Sequence, residues 1–515
     1  MSRFLHRRRG TIGTTPGPGD AGQGAALKVD TSGVADAFAR PSEPAPSRSR
    51  PVAVLVLVGV LVAGLVGDHL LGFRSRAQAA SLPPTFPSLA PAGSLTATWF
   101  CPGLQAAADS PAKGRIIVAN PGAMDLHVNV TFSPSTGQQL TSSRVVPPFQ
   151  RTTFKLESEA PSAFTAATVT IDSGVGVVEQ EVQGALGESI APCATSSSDH
   201  WYVAAGRTDP DNTMLLSLYN PFSADAIVDL RFATDQGPTT PDAYQGIVIP
   251  GHGVSVVNIG EKVRIRTAVA ATVNVRAGRL VVDKLELQGG PTFKGLSLTL
   301  GATGPGTVWY YPDGVIAKGR TEHFELYNPG SKEAQVDVGA VLERGSVDPF
   351  SVTVPAGDRV SVQVDQEGRI PPTVGQSWVV ASTNGVPIVS ERVMEAASDS
   401  GRVGVADTLG APKAARRWLF AAGSASDNAD EYLIVFNPGD RPVDVTLTGS
   451  GLGESVPLGP VFTLAPSTRR AVHVNELLNK GIVVAEVNAS GPVVAERAQS
   501  RNPGPGLSST IGVAG

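Results

Sequence analysis

The sequence is short of the residues that usually perform chemistry. Histidine occurs seven times in 515 residues, at His6, His69, His127, His200, His252, His323 and His473, with no H-E-x-x-H or other ligand spacing, so no metalloenzyme is expected. Two cysteines are too few to close a tetrahedral zinc site without a histidine pair beside them. No G-x-S-x-G elbow occurs, which leaves nucleophilic catalysis without a candidate. Gly301, Gly304 and Gly306 fall in a loop between repeats and not between a strand and a helix, so no phosphate cradle is expected. The sequence therefore supplies no catalytic, cofactor-binding or metal residues, and the expectation is a protein that is not an enzyme. Charge is scarce as well, at 17% Asp, Glu, Lys and Arg, and no segment outside the one long apolar run keeps a helical period over ten residues or more.

That apolar run is Val52 to Gly67, sixteen uncharged residues; Pro51 to Phe73 reaches membrane-spanning length if Asp68 and His69 sit at the far interface. Eight basic residues precede it and only Arg74 and Arg76 closely follow, so the positive-inside bias holds the N-terminus in the cytoplasm and places everything after Phe73 outside. A cleavage signal ending at Ala77-Gln78-Ala79 is the weaker rival, because that site lies far beyond the apolar run. The part after residue 76 carries 31 basic and 41 acidic residues, an acidic balance that excludes nucleic acid as a partner. In an oxidising compartment Cys101 and Cys193 are expected to form one disulfide.

The dominant feature is a fourfold internal repeat. An aromatic pair led by Trp99, Trp201, Trp309 or Trp418 is followed about twenty residues on by Asn120-Pro121, Asn220-Pro221, Asn328-Pro329 or Asn437-Pro438. The tryptophans lie 102, 108 and 109 residues apart, so whole units of one length recur. Inside each unit, short runs with period-two alternation are bounded by Gly, Pro, Asn and Asp, which reads as seven or eight strands. Proline after the asparagine stops strand pairing, and the asparagine side chain is suited to start a turn. The leading tryptophans are expected in the core. Near each unit's end come Glu179-Gln180, Asp283-Lys284, Glu391-Arg392 and Glu496-Arg497. Neighbours in a strand face opposite sides, so these pairs are not expected to bond to each other, and one member of each is expected to look inward or toward an adjoining unit.

The expected organisation is a disordered cytoplasmic tail (1–50), a transmembrane helix (51–73), a Pro-rich linker (74–95) and four β repeats (96–195, 196–303, 304–413 and 414–515). The fold class is all-β, with tandem immunoglobulin-like sandwiches after one N-terminal membrane helix. An eight-bladed propeller, two blades per repeat, fits the same period. The sequence leaves open whether the repeats are separate sandwiches or one closed body.

The Trp-aromatic opening, the Asn-Pro strand end and the closing Val-x-Glu-Arg resemble hundred-residue β repeats of bacterial envelope and surface proteins. With the basic tail, the single span and Trp99-Phe100-Cys101-Pro102, residues 51–515 resemble an actinobacterial membrane-anchored family described only as a domain of unknown function. The resemblance implies fold and compartment and supplies no catalytic residues. Asp283-Lys284 and Glu179-Gln180 depart from its acid-arginine pattern.

Two acidic clusters, Asp209, Asp211 and Asn212, and Asp427, Asn428, Asp430 and Glu431, have oxygen ligands for Ca²⁺ but fit no complete calcium loop, and polar turns are the better reading. Trp378 belongs to no repeated position and is the single candidate for stacking on a glycan, although a core position is the plainer assignment. The functional expectation is a membrane-anchored extracytoplasmic scaffold or binding module for cell-wall glycan or envelope proteins. An accessory subunit of an envelope glycosyltransferase, or a glycan-processing enzyme, is the alternative.

Overall fold

The computed structural model describes residues 85–515 apart from 92, 173, 344, 367, 373, 452, 479, 480, 502 and 503. The expected tail, membrane helix and the first part of the linker lie outside the described residues. Among the described residues no helix is long and apolar enough to cross a membrane, and the helices present are turns of three or four residues. The rest is strand and turn.

The first repeat consists of β1 (Thr96–Gln105), β2 (Ala112–Ala119), β3 (Leu126–Pro134), β4 (Leu140–Val146), β5 (Arg151–Lys155), β6 (Phe164–Asp172), β7 (Val177–Gly184) and β8 (Gly187–Pro192). They form two four-stranded antiparallel sheets in the orders β1-β6-β3-β4 and β5-β2-β7-β8. The same order returns in the other three units. In the fourth, the sixth and seventh strands are fused into Val484–Arg501, which pairs in both sheets.

The two sheets follow different residue patterns. In β3, Leu126, Val128, Val130 and Phe132 are buried while His127 and Asn129 face water, the alternation of a half-exposed sheet. In β7 the first six residues are all buried, and so is all of β8. The second sheet is thus covered on both faces, by its own partner sheet and by a neighbouring unit.

Leading tryptophans fill the sandwiches: Trp99, Trp201, Trp309 and Trp418 are each at most 1% exposed. Three donate their indole N–H across the core, Trp201 to the Leu280 carbonyl (3.0 Å), Trp309 to Ile388 (2.9 Å) and Trp418 to Val493 (2.8 Å). The Asn-Pro asparagines are equally buried. Asn437 accepts from the Gly439 N–H (3.0 Å), the expected turn bond. It also donates to the carbonyls of Arg441 (2.8 Å), Leu464 (3.3 Å) and Ala465 (3.1 Å). Asn120, Asn220 and Asn328 repeat this arrangement. Each asparagine therefore ties the end of the second strand to the fourth-strand end of the opposite sheet.

The four units close on one another. Their eighth strands, β8, Gly295–Leu300, Gly404–Leu409 and Leu507–Ile511, meet pairwise in a ring around one axis. Neighbours are stitched through hydroxyl groups: the Leu298 N–H donates to Ser189 Oγ (3.0 Å), and Thr299 Oγ1 donates to the Asp407 carbonyl (3.1 Å), Thr408 Oγ1 to that of Ser509 (3.2 Å) and Thr510 Oγ1 to that of Ile190 (2.7 Å). Only about 30 Å³ remains between them, so the axis is packed and is not a channel. Each unit contributes two sheet faces, joined in the fourth by its long strand, but only the one ending in its eighth strand reaches the axis, which differs from eight equivalent propeller blades. Residues 85–89, expected as free linker, lie against this body: Phe86 lines the axial gap, Leu89 N–H bonds the Ala514 carbonyl (2.7 Å) and Thr85 N–H bonds Thr303 Oγ1 (2.9 Å).

Candidate functional site

The acid-base pairs near each unit's end sit on the seventh strands and are buried. As alternation requires, the two residues of a pair do not face each other. Both make links between units, so the expectation that one member would look toward a neighbour understates their role. Glu391 of the third unit accepts from the Ala204 N–H (2.7 Å) of the second and from Lys284 Nζ (3.1 Å). Glu496 of the fourth accepts from the Asp313 N–H (2.7 Å) of the third and from Arg392 Nη2 (2.5 Å). Glu179 of the first accepts from the Ala422 N–H (2.6 Å) of the fourth and from Arg497 Nη1 (3.1 Å). Asp283 of the second accepts from Gln180 Nε2 (2.9 Å) of the first. Four links form a closed circuit, each with the acid of one unit held by the unit before it.

Burial works against the Lys284 charge, but Asp407, Glu391 and Glu286 surround it and leave its affinity for a proton raised. Burial pushes Glu391 up to about 8, so this group of one cation and several carboxyls retains a proton at neutral pH. Burial likewise pushes Glu322 up to about 8 beside Arg392. Arg392 is itself raised: desolvation opposes its charge, and Glu496 and Glu322 outweigh it.

The four seams between units are not alike. Between units one and two, Leu215, Leu285, Leu296 and Leu298 join the first unit's core, beside the polar Gln180–Asp283 link. Between four and one, Leu419, Ala421, Ala422, Val484 and Val513 likewise join the first unit's core, and matched polar groups lie beside them: Arg151 donates to the Ala421 (3.1 Å) and Gly423 (2.9 Å) carbonyls and Gln499 to Glu188 (2.7 Å). The other two seams open into clefts.

The cleft between units two and three encloses about 330 Å³ and is walled by Arg207, Glu286 and Gln288 on one side and Thr321, His323, Glu325, Arg359 and Glu395 on the other. Glu395 accepts from Gln288 Nε2 (2.8 Å), Thr321 Oγ1 (3.0 Å) and Arg207 Nη1 (3.5 Å). Glu325 is held by Arg359 and by Ser361 Oγ (2.7 Å). Burial lowers His323, which keeps its imidazole neutral, lowers Arg359 to about 10 and raises Glu286 to about 7. The arrangement offers donors and acceptors to a polar ligand, and Glu286 is able to exchange a proton near neutrality. Sequence reasoning missed these residues because they come from several strands of two units. The available signal was charge, Asp283, Lys284 and Glu286, gathered in one short buried strand.

The other residues singled out in the sequence fall elsewhere. Cys101 and Cys193 form the expected disulfide, with an S–S distance of 2.05 Å. Trp378 is 0% exposed, its ring edge-on to Phe324 (5.1 Å between centroids) and near Phe350 (6.2 Å). The glycan-contact reading of Trp378 is therefore corrected: an enclosed indole has no free face for a sugar. In the acidic clusters Asp209 pairs with Arg207 (3.0 Å), Asp430 with Arg402 (3.0 Å) and with His473, and Glu431 is buried and accepts from the Ser424 N–H (2.6 Å). These contacts give structural roles to acids that the sequence offered as calcium ligands.

Residues 180–400, from within β7 to just past the seventh strand of the third unit, match a family described as of unknown function, DUF5719. No curated protein matches the chain. Among solved structures the chain is similar to a Streptomyces avermitilis alpha-L-rhamnosidase complexed with L-rhamnose, at 9% identity and a TM-score of 0.14 over 61% of this chain. It spans 43% of that enzyme's length. A tetra-tandem repeat from the extending region of a large adhesion protein is similar at 13% identity and a TM-score of 0.10, over 77% of this chain and 93% of that one. Neither overlap is close enough to define the fold.

Proposed function

We propose that this chain is a non-enzymatic, single-pass envelope protein with its N-terminus in the cytoplasm and its four-unit ring outside, serving as a rigid binding module for cell-wall glycan or envelope proteins. The membrane helix at 51–73 and the actinobacterial affiliation belong to this reading. So does the description of each unit as immunoglobulin-like: its second strand pairs with the fifth and its third with the sixth, as in B–E and C–F pairing. The units depart from that plan in placing the first strand beside the sixth and the seventh beside the second.

The observation that carries the proposal is the closed circuit of buried links joined to polar clefts at the seams. Such a body is built to hold surfaces in fixed relation, and its clefts offer hydrogen bonds to hydroxyl-rich ligands. Two measurements test it. Met124, 75% exposed, replaced by cysteine is expected to react with a membrane-impermeant maleimide in intact cells; reaction only after lysis overturns the topology. The full-length protein, purified from detergent-solubilised membranes, is expected to carry envelope proteins or cell-wall glycan with it, and purely cytosolic companions would refute the assignment.

One observation favours the enzymatic alternative, the raised Glu286 in a cleft that also contains Glu395. A glycan-processing enzyme would use Glu286 as its acid. Release of soluble sugars from cell-wall glycan by the wild type, abolished in Glu286→Gln, would establish that reading in place of the binding one.

A further inference from the structure

The cleft between units three and four has a different chemistry. It encloses about 280 Å³, and Met394, Ile434, Ala471, Ala498 and Leu507 give it an apolar wall. Three guanidinium groups border it. Arg402 is engaged by Asp430 (3.0 Å) and lies over the Tyr432 ring, 5.6 Å from its centroid. Arg469 donates from Nε to the Pro312 carbonyl (3.2 Å) and approaches Asp313 (3.5 Å) and Glu343 (3.6 Å). Arg320, at the start of the third unit's second strand, makes no side-chain hydrogen bond or ion pair among the described residues, and its buried Nε has no partner. The acids bordering the cleft make no hydrogen bond to Arg320: Glu343 faces Arg469, Glu395 faces Gln288, Thr321 and Arg207, and Asp313 lies 3.5 Å from Arg469 while its charge also reaches Arg320.

Leaving the buried Nε of a guanidinium without a partner is costly, and the planar fork matches a carboxylate in two-point fashion. An apolar wall on the same cavity selects what the carboxylate is attached to. From these two features we infer that the cleft between the third and fourth units binds a small organic acid, its carboxylate on Arg320 and its apolar body against Met394, Ile434 and Leu507. Burial and, after it, the nearby positive charge of Arg402 depress the proton affinity of Arg320; Asp313 offsets them in part, and an incoming anion adds to that offset. This site is separate from the polar cleft between units two and three, although Thr321 and Glu395 border both.

Calorimetric titration of the full-length protein in lipid nanodiscs tests the assignment with four probes. Phenylacetate carries both features, phenylacetamide lacks the charge, acetate lacks the apolar body, and inorganic phosphate offers an anion of another geometry. Phenylacetate is expected to bind, the amide and acetate to bind at least about tenfold more weakly, and Arg320→Gln to weaken phenylacetate by about tenfold or more. Ala471→Trp, which fills the cleft from the fourth unit's wall, is expected to block binding without touching Arg320. Equal binding of acid and amide, phosphate binding tighter than phenylacetate, no binding of any probe, or unchanged phenylacetate affinity in a folded Ala471→Trp protein would each overturn the inference.

Discussion

Gln180 faces Asp283 across the seam between the first and second units, its Nε2 2.9 Å from the carboxyl, at the one link of the ring where no cation meets the buried acid. The three other links place Lys284, Arg392 or Arg497 at that position. Without a positive partner, burial pushes Asp283 up to about 7 from a usual 3.8. The consequence for stability has a definite sign. The unfolded chain releases this proton near pH 4 and the folded one near pH 7, so stability from this group is full below pH 4 and is lost as the pH rises toward 7.

Asp283→Asn is therefore expected to raise stability at pH 8, by roughly 4 kcal/mol at most from the size of the shift, while leaving it nearly unchanged at pH 4. The asparagine oxygen still accepts from Gln180. Urea unfolding midpoints of wild type and variant at the two pH values decide it: equal midpoints at pH 8 would mean that burial does not raise the proton affinity of Asp283.

Arg392 and Glu496 form the strongest version of the link, with both side chains at 0% exposure. Removing one partner of a buried pair commonly costs about 3–5 kcal/mol, because the other charge is left uncompensated. Glu496→Ala is expected to fall in that range, since Arg392 cannot discharge and the Asp313 N–H loses its acceptor. Arg392→Met is expected to cost less, because Glu322, already raised to about 8, and Glu496 take up protons instead. The methionine variant should accordingly lose more stability than the alanine variant as the pH rises through 8, because it leaves two buried carboxyls without their cation. A double-mutant cycle by denaturant unfolding is expected to give a coupling of about 1–3 kcal/mol; a value near zero would reduce the link to mere proximity.

How much of this was legible in the sequence can be traced residue by residue. The spacing of Trp and Asn-Pro gave the unit and its length, because a core indole and a buried asparagine recur wherever the same sandwich recurs. The closing strands run to glycines, Gly301, Gly410 and Gly512, and the structure supplies their reason. A Cβ on Gly410 would lie 2.6 Å from the Tyr311 ring, and one on Gly512 2.7 Å from Phe420, so the last strand must end without a side chain where it crosses the opening strand. Ring closure was not legible. It depends on eighth strands about 100 residues apart meeting edge to edge, and their hydroxyl-to-carbonyl bonds leave no periodic mark. Both clefts were missed for the same reason, being assembled from two units at a time. Paired charges in a short buried strand were the one available sign, and they were read only as far as the facing rule allows.

The asparagine clamps carry more than turn formation. In Asn437→Asp the donors to three carbonyls are replaced by an oxygen facing them at a site with 0% exposure. The expected loss is about 3 kcal/mol or more, with Asn437→Ala somewhat milder. Pro438→Ala removes only a ring that stops pairing and is expected to stay within about 1 kcal/mol. Thermal melts of the three variants rank them; an aspartate variant as stable as wild type would contradict the clamp.

The four leading tryptophans look interchangeable in sequence and are not so in the structure. Trp309 donates to the Ile388 carbonyl at 2.9 Å, whereas the Trp99 Nε1, equally buried, has no partner. Substituting phenylalanine at 309 therefore removes packing volume and also a hydrogen bond worth about 0.5–1.5 kcal/mol net, although the Ile388 carbonyl keeps the Gly306 N–H (2.8 Å) as a donor. At 99 the same substitution removes volume but also deletes an unpaired buried N–H, so the two effects oppose each other. Trp309→Phe is expected to lower the urea midpoint clearly more than Trp99→Phe, with a difference of about 1–3 kcal/mol between them. Equal losses would show that packing alone sets the role of these residues, and that the cross-core hydrogen bond contributes nothing to holding the two sheets together.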